Sequence, residues 1–141
     1  MTRKAISLGE ALGRAHAKLL DDLQQLEDVA SGESVAKLHQ RLASTRTDLL
    51  AHFRFEERGG YMEAVKQQEP RLERFVDQLA HEHKDLADAL EALVGQARVA
   101  AGLDAALRAG VRGWIERVRA HEARENDLVQ NAFNLDIGAK D

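Results

Sequence analysis

Residues 34–60 read SVAKLHQRLASTRTDLLAHFRFEERGG. Val35, Leu38, Leu42, Thr45, Leu49, His52, Phe53 and Glu56 recur at the three- and four-residue intervals that place side chains on one face of an α-helix. Gly59-Gly60 should end that helix, because glycine readily adopts the left-handed conformation found at helix C-termini. The stripe is mostly apolar as far as Leu49 and then turns polar at His52 and Glu56 without changing face. A buried carboxylate is costly unless its charge is paired or bound to a metal, so the end of this helix needs a chemical explanation.

Reading outward, the same period continues on both sides. Upstream it predicts a helix over about 7–29, with Ser7 and Glu10 as a capping box and Leu12, His16, Leu19, Leu20, Leu23 and Leu26 facing inward. Ser31-Gly32-Glu33-Ser34 reads as a turn, and the second helix covers about 34–58. Downstream, Tyr61 to Val65 reads as a short extra turn. Pro70 suits the first position of a third helix over about 70–95, whose inner face is Leu72, Phe75, Val76, Leu79, His83, Leu86, Leu90 and Leu93. Asp104 is the expected N-cap of a fourth helix over about 104–132, packing through Leu107, Val111, Trp114, Val118, His121, Glu125 and Leu128. Residues from about Phe133 onward read as a loose tail. Four long amphipathic helices with short connections predict an all-α, up-down-up-down four-helix bundle forming a single domain over 1–141.

Composition narrows the function. A chain of 141 residues with 44% hydrophobic residues can bury one core, and a net charge of -4 with scattered basic residues argues against a nucleic-acid partner. The absence of cysteine excludes disulfides, thiolate metal sites and thiol nucleophiles. No apolar run is long enough to span a bilayer, and no apolar signal core follows Met1-Thr2-Arg3-Lys4, so no membrane association and a cytoplasmic location are expected.

The histidines carry the chemistry. His16, His52, His83 and His121 fall on the inner faces of four different helices, and two are followed four residues later by glutamate, giving His52-x-x-x-Glu56 and His121-x-x-x-Glu125. A single inward histidine is most simply a hydrogen-bonded core residue, and a lone His/Glu pair at this spacing is often only a helix-face pair. The ordered set of six is better explained by metal. Imidazole suits iron and a carboxylate can bridge two ions. Six protein ligands exceed one tetrahedral zinc site and suit two ions with open positions. Without ions the core would hold two carboxylates and four imidazoles with little compensation. His81 and His39 are expected on the solvated face and the bundle edge. Glu57, Glu82 and Glu122 are expected to turn away from the site into solvent. Trp114, Phe53 and Phe75 read as core. Tyr61 reads as a loop anchor, with a place over one end of the metal site as the alternative. Neither the ferritin-type Glu-x-x-His nor the His-Glu-x-x-His of zinc proteases occurs.

At these residues the chain resembles the hemerythrin-like (HHE cation-binding) family. The marks are His52-Phe53-Arg54-Phe55-Glu56-Glu57, Glu82-His83-Lys84-Asp85-Leu86 and His121-Glu122-Ala123-Arg124-Glu125. With His16 they reproduce the order H…HxxxE…H…HxxxE, and Glu57 to Met62 looks like a bacterial subgroup. The resemblance implies a non-haem, oxo- or hydroxo-bridged di-iron site. It implies His16 and His52 on one iron, His83 and His121 on the other, and Glu56 and Glu125 bridging. It departs from oxygen-carrying members, which resemble HxxxH on the third helix where this chain has Leu79, and which carry an aspartate five residues after the last histidine. The pattern is closer to repair-of-iron-centres proteins, whose cysteine-bearing extension is missing here, and to iron-sensing domains. The implied function is binding of, or reaction with, a small ligand (dioxygen, nitric oxide or peroxide) in sensing, scavenging or iron and redox homeostasis. The alternatives are an iron- or oxygen-responsive interaction module and a metal-free structural bundle.

Overall fold

The structure, a computed structural model, describes residues 3–133, with side chains from Leu8 onward. Its elements are α1 (Arg3–Ala30), α2 (Val35–Glu57), α3 (Tyr61–Gln68), a 3-10 turn (Pro70–Leu72), α4 (Glu73–Val99) and α5 (Ala105–Phe133). The four long helices form the expected all-α bundle, with α1 packed on α2 and α5, and α4 packed on the same two. The expected tail, beyond Phe133, lies outside the described residues. Among the described residues no helix is long and apolar enough to cross a membrane.

The helix ends follow from local chemistry. The Ser34 hydroxyl accepts from the Lys37 N–H at the start of α2, and the Asp104 carboxylate accepts from the Leu107 N–H at the start of α5. Arg108 donates to the carbonyls of Ala30 and Gly32, fastening the first turn of the chain to α5. α1 begins at Arg3, ahead of Ser7, so Ser7 is an interior residue and not the cap. α4 runs through Gly95 to Val99, because Val94 and Ala97 are buried there and hold the extra turn. After α2, Gly59 has φ 75°, and a Cβ on Gly60 would collide with the carbonyl oxygens of Phe55 and Glu56. Only glycine permits so abrupt a reversal, and the reversal lays α3 against all four long helices.

Two apolar clusters fill the interior. The larger contains Leu19, Leu23, Leu26, Leu38, Leu42, Leu90, Trp114 and Val118; the smaller contains Leu12, Tyr61, Met62, Val65, Val76, Leu79 and Leu128 under α3. Each fully buried leucine contributes about 1.5–3 kcal/mol, so the larger cluster carries most of the stability. Five of the six candidate ligands lie in sequence between a member of one cluster and a member of the other: His16 between Leu12 and Leu19, Glu56 between Phe53 and Tyr61, His83 between Leu79 and Leu86, His121 and Glu125 between Val118 and Leu128; His52 follows Leu49 at the edge of the larger cluster. The site is thus a polar layer sealed between two dry ones. Two expected core residues stand outside. Phe75 is 47% exposed and Leu20 38% exposed, because each adjoins a buried residue, Val76 or Leu19, and lies roughly 100° around the helix from it.

Candidate metal centre

The six residues singled out by the sequence come together in that layer. Glu56 Oε2 is 3.1 Å from His16 Nε2 and 2.9 Å from His52 Nε2, while its other oxygen is 3.1 Å from His83 Nε2. Glu125 mirrors this arrangement. Its Oε1 is 3.1 Å from His16 Nε2, and its Oε2 is 3.2 Å from both His83 Nε2 and His121 Nε2. The donors form two overlapping groups that could each hold a metal ion: His16, His52, Glu56 and Glu125, and His83, His121, Glu56 and Glu125. Both carboxylates belong to both groups. Glu56 and Glu125 have 0% exposure, His16, His83 and His121 are nearly as deeply placed, and His52 is half-buried.

Several of these short approaches are not hydrogen bonds. His52 Nε2, His121 Nε2 and Glu56 Oε1 are buried and have no hydrogen-bond partner among the described residues, although a donor or acceptor lies within 2.9–3.2 Å of each. The atoms converge without aiming at one another, as ligand atoms do when they aim at a common point between them. With imidazole nitrogens about 2.1 Å from a divalent ion, neighbouring donors at right angles stand roughly 3.0 Å apart. The observed 2.9–3.2 Å separations fit that spacing. The donor set therefore fits a pair of cations.

The outer nitrogens fix the rings. His16 Nδ1 donates to Asn126 Oδ1 at 2.8 Å, His83 Nδ1 to Glu57 Oε2 at 2.5 Å, and His121 Nδ1 to Glu82 Oε1 at 2.8 Å. All three partners are acceptors, so Nδ1 carries the proton and Nε2 faces the layer. Arg124 in turn holds Glu82 through its other oxygen at 2.6 Å. The ring of Phe53 stacks on His83 with centroids 3.8 Å apart. Two expectations change here. Glu57 and Glu82 do reach toward solvent, but each also orients a histidine on the neighbouring helix. The third, Glu122, is 4% exposed and so is not solvated at all. A residue next to a ligand points about 100° away from it, and in a close bundle that direction is the seam with the next helix.

Tyr61 occupies the position given above as its alternative. It is 2% exposed, and its hydroxyl donates to Glu125 Oε2 at 2.7 Å. Burial and the nearby charges of Glu125 and Glu56 push its ionisation up. His81 is exposed and His39 half-buried.

Without ions, protons supply the counter-charge. Burial alone would lower the His16 pKa, but the carboxylates of Glu125 and Glu56 outweigh it and raise it to about 10. His83 is raised to about 10 by the same balance. Burial opposes ionisation of Glu125, but its contacts with His121, His16 and His83 hold it well below the ordinary carboxylate value. Burial pushes Glu122 up to about 8, against the pull of His16 and with the repulsion of Glu125 and Glu56. The ion-free layer is therefore more nearly neutralised than a simple count of ligands implies.

The residues that sequence reasoning missed share a signal. Glu57 follows Glu56, Asn126 follows Glu125, and Glu82 precedes His83. Each polar neighbour of a ligand supports a histidine of an adjacent helix. Residues 8–133 match the hemerythrin HHE cation binding domain. No curated protein and no solved structure matches the chain closely enough to count as a relative.

Proposed function

The chain belongs to the hemerythrin HHE cation-binding domain family, and on that premise we propose that it is a non-haem di-iron protein whose centre binds or reacts with a small ligand. The observation that supports this most directly is the placement of Glu56 and Glu125, each with one oxygen toward His16 or the His16–His52 pair and the other toward the His83–His121 side. A carboxylate so placed would offer one oxygen to each of two ions. Imidazole and carboxylate donors suit iron. When bound, the iron pair would supply open coordination positions and a change of redox state to dioxygen, nitric oxide or a peroxide.

The remaining features are contributions of the chain itself. The apolar clusters above and below exclude bulk water. Glu57, Glu82 and Asn126 hold the imidazoles in the tautomer that presents Nε2. Surface cavities reach one histidine of each pair: about 230 Å³ beside His52, with Asp22, Asp48 and Phe55, and about 300 Å³ beside His83, with Phe53 and Glu57. Either is large enough for a diatomic molecule. No nucleic-acid partner is part of this reading.

The test is anaerobic loading with ferrous iron, followed by titration with dioxygen, nitric oxide and hydrogen peroxide under an absorbance probe. Uptake of about two irons per chain, with near-ultraviolet absorption appearing in air, is the expected result. Uptake of none or one removes the reading. An iron-responsive interaction role is favoured by one observation, the supply of ligands from all four long helices, which ties occupancy to packing. Pull-down of a partner only from the iron-loaded form would establish that role.

A further inference from the structure

Glu122 is the one buried acid of the layer that neither the ligand set nor the outer hydrogen bonds use. Both of its oxygens are buried and without a hydrogen-bond partner among the described residues. Its Oε2 lies 4.0 Å from His16 Nε2 and 3.9 Å from His52 Nε2. It therefore faces the nitrogens of one histidine pair only. Those distances are too long for hydrogen bonds. They fall between the separations expected of donors around one ion, roughly 3.0 Å at right angles and about 4.2 Å on opposite sides, for a bond of about 2.1 Å.

A carboxylate that has lost its water and found no donor is an unusual feature in a folded protein. Its neighbours make the point sharper. His121, immediately before it, has both ring nitrogens facing carboxylates, and Glu125, one turn later, touches three imidazoles and Tyr61. Glu122 faces the layer with no donor within hydrogen-bond distance among the described residues.

We propose that Glu122 is a further ligand of the centre, specific to the ion held by His16 and His52. This rests on the di-iron reading above and deepens it. With Glu122, the His16–His52 ion has five protein donors, whereas the His83–His121 ion has four. The two ions would then be inequivalent, with fewer protein donors on the His83–His121 side. The sequence repeats its His-x-x-x-Glu theme in each half, but this acid makes the centre one-sided.

The experiment uses the full chain loaded anaerobically with iron-57 as the ferrous ion, in wild type and in Glu122→Gln, which keeps the shape and removes the charge. Mössbauer spectra and a ferrous-ion titration are read together. Wild type is expected to give two distinct quadrupole doublets. Glu122→Gln is expected to weaken one of the two ions by about 10–100-fold, the range that changes next to a metal typically produce, and to alter only one doublet. Thermal unfolding gives an independent readout. The variant should gain less melting temperature from iron than wild type gains, because iron loses a ligand in the folded state. A residue that merely packs would shift both forms by the same amount. Glu122→Met, which fills a similar volume with apolar atoms, supplies the same readouts if the glutamine variant does not fold. Two irons bound by Glu122→Gln with wild-type affinity and spectra would overturn the proposal and leave the di-iron reading standing. Failure of wild type to bind two irons would overturn both.

Discussion

The His16–His52 side and the His83–His121 side of the layer are built from the same parts in the same order: a histidine on one helix, then His-x-x-x-Glu on the next long helix or the one that closes the bundle. Their surroundings differ. On the His83–His121 side both outer nitrogens meet carboxylates, Glu57 and Glu82, and Tyr61 donates to the Glu125 oxygen that faces that pair. On the His16–His52 side the one outer hydrogen bond goes to neutral Asn126, and the acid, Glu122, stands on the inner side of the rings. One side gathers negative charge behind its ligands, the other in front of them. A repeated motif therefore specifies where donors converge, while the residues beside the motif specify how each half behaves.

The largest effect should come from removing what the two sides share. Glu56→Ala and Glu125→Ala each face both histidine pairs, so each should reduce bound iron from about two per chain to nearly none. His52→Ala touches one side and should cost about one ion. His81→Ala, on the exposed face, should cost none. Iron analysis after desalting measures all four, and equal loss in Glu56→Ala and His52→Ala would show that Glu56 serves one side only.

The outer partners come next. Glu57→Gln and Glu82→Gln replace a charged acceptor by a neutral one behind His83 and His121. A change of this kind behind a metal-bound histidine typically costs 10–100-fold in affinity. Asn126→Ala removes a neutral acceptor behind His16 and should cost less. A ferrous-ion titration in which all three variants weaken binding equally would erase the difference between the sides.

In one respect the sides are alike, and pH exposes it. Each holds one imidazole raised to about 10 in the ion-free protein, His16 and His83. The stability this contributes is fully present below about 6.5, the ordinary histidine value, and is lost as pH rises through about 10. Glu125, held below 4.5, contributes stability that is present above that value and lost as pH falls further. Glu122 works in the opposite sense: raised to about 8 from 4.5, it costs stability as pH climbs through that interval. Ion-free protein should therefore melt highest near pH 4.5 and lose stability from there toward pH 10. Iron requires these imidazoles deprotonated, so its stabilising effect should grow over the alkaline range. His16→Gln and His83→Gln should each remove about half of the ion-free loss above about pH 8, where Glu122 no longer contributes, measured by circular dichroism melting across pH.

The legible part of the molecule was the periodic part. Leu38, Leu42 and Leu49 lead directly to His52 and Glu56 on one helical face, and the same rule placed His16, His83, His121 and Glu125, all of which the structure brings into one layer. Periodicity says which face is inward and says little about the seams between helices. Glu57, Glu82 and Glu122 each sit one residue from a ligand, so a single-helix reading sends them to solvent; only the neighbouring helix turns that direction into an interior one. Phe75 failed for the converse reason, since an aromatic beside the stripe was counted with it although Val76 already filled the inward position. Tyr61 depended on the Gly59-Gly60 reversal, whose path no periodic pattern describes.

Tyr61 supplies the smallest expected effect and a sharp test of the comparison. Its hydroxyl reaches only Glu125 Oε2, the oxygen on the His83–His121 side. Its ring is buried with Met62 and Val65 beneath α3, so Tyr61→Phe keeps the packing and deletes one hydrogen bond. A hydrogen bond of this sort is worth about 0.5–1.5 kcal/mol net, which corresponds to a several-fold change in affinity. The change should fall on the His83–His121 ion alone, because the oxygen affected points there. Stoichiometry should stay at about two. The absorption of the air-exposed iron protein should shift, as the electron density on that carboxylate oxygen is no longer drawn toward the phenol. A purely anchoring tyrosine predicts something else: equal losses of melting temperature with and without iron, and an unchanged spectrum. That outcome would leave the two sides distinguished by Glu57, Glu82 and Glu122 only, and would return Tyr61 to the role of holding α3 in place.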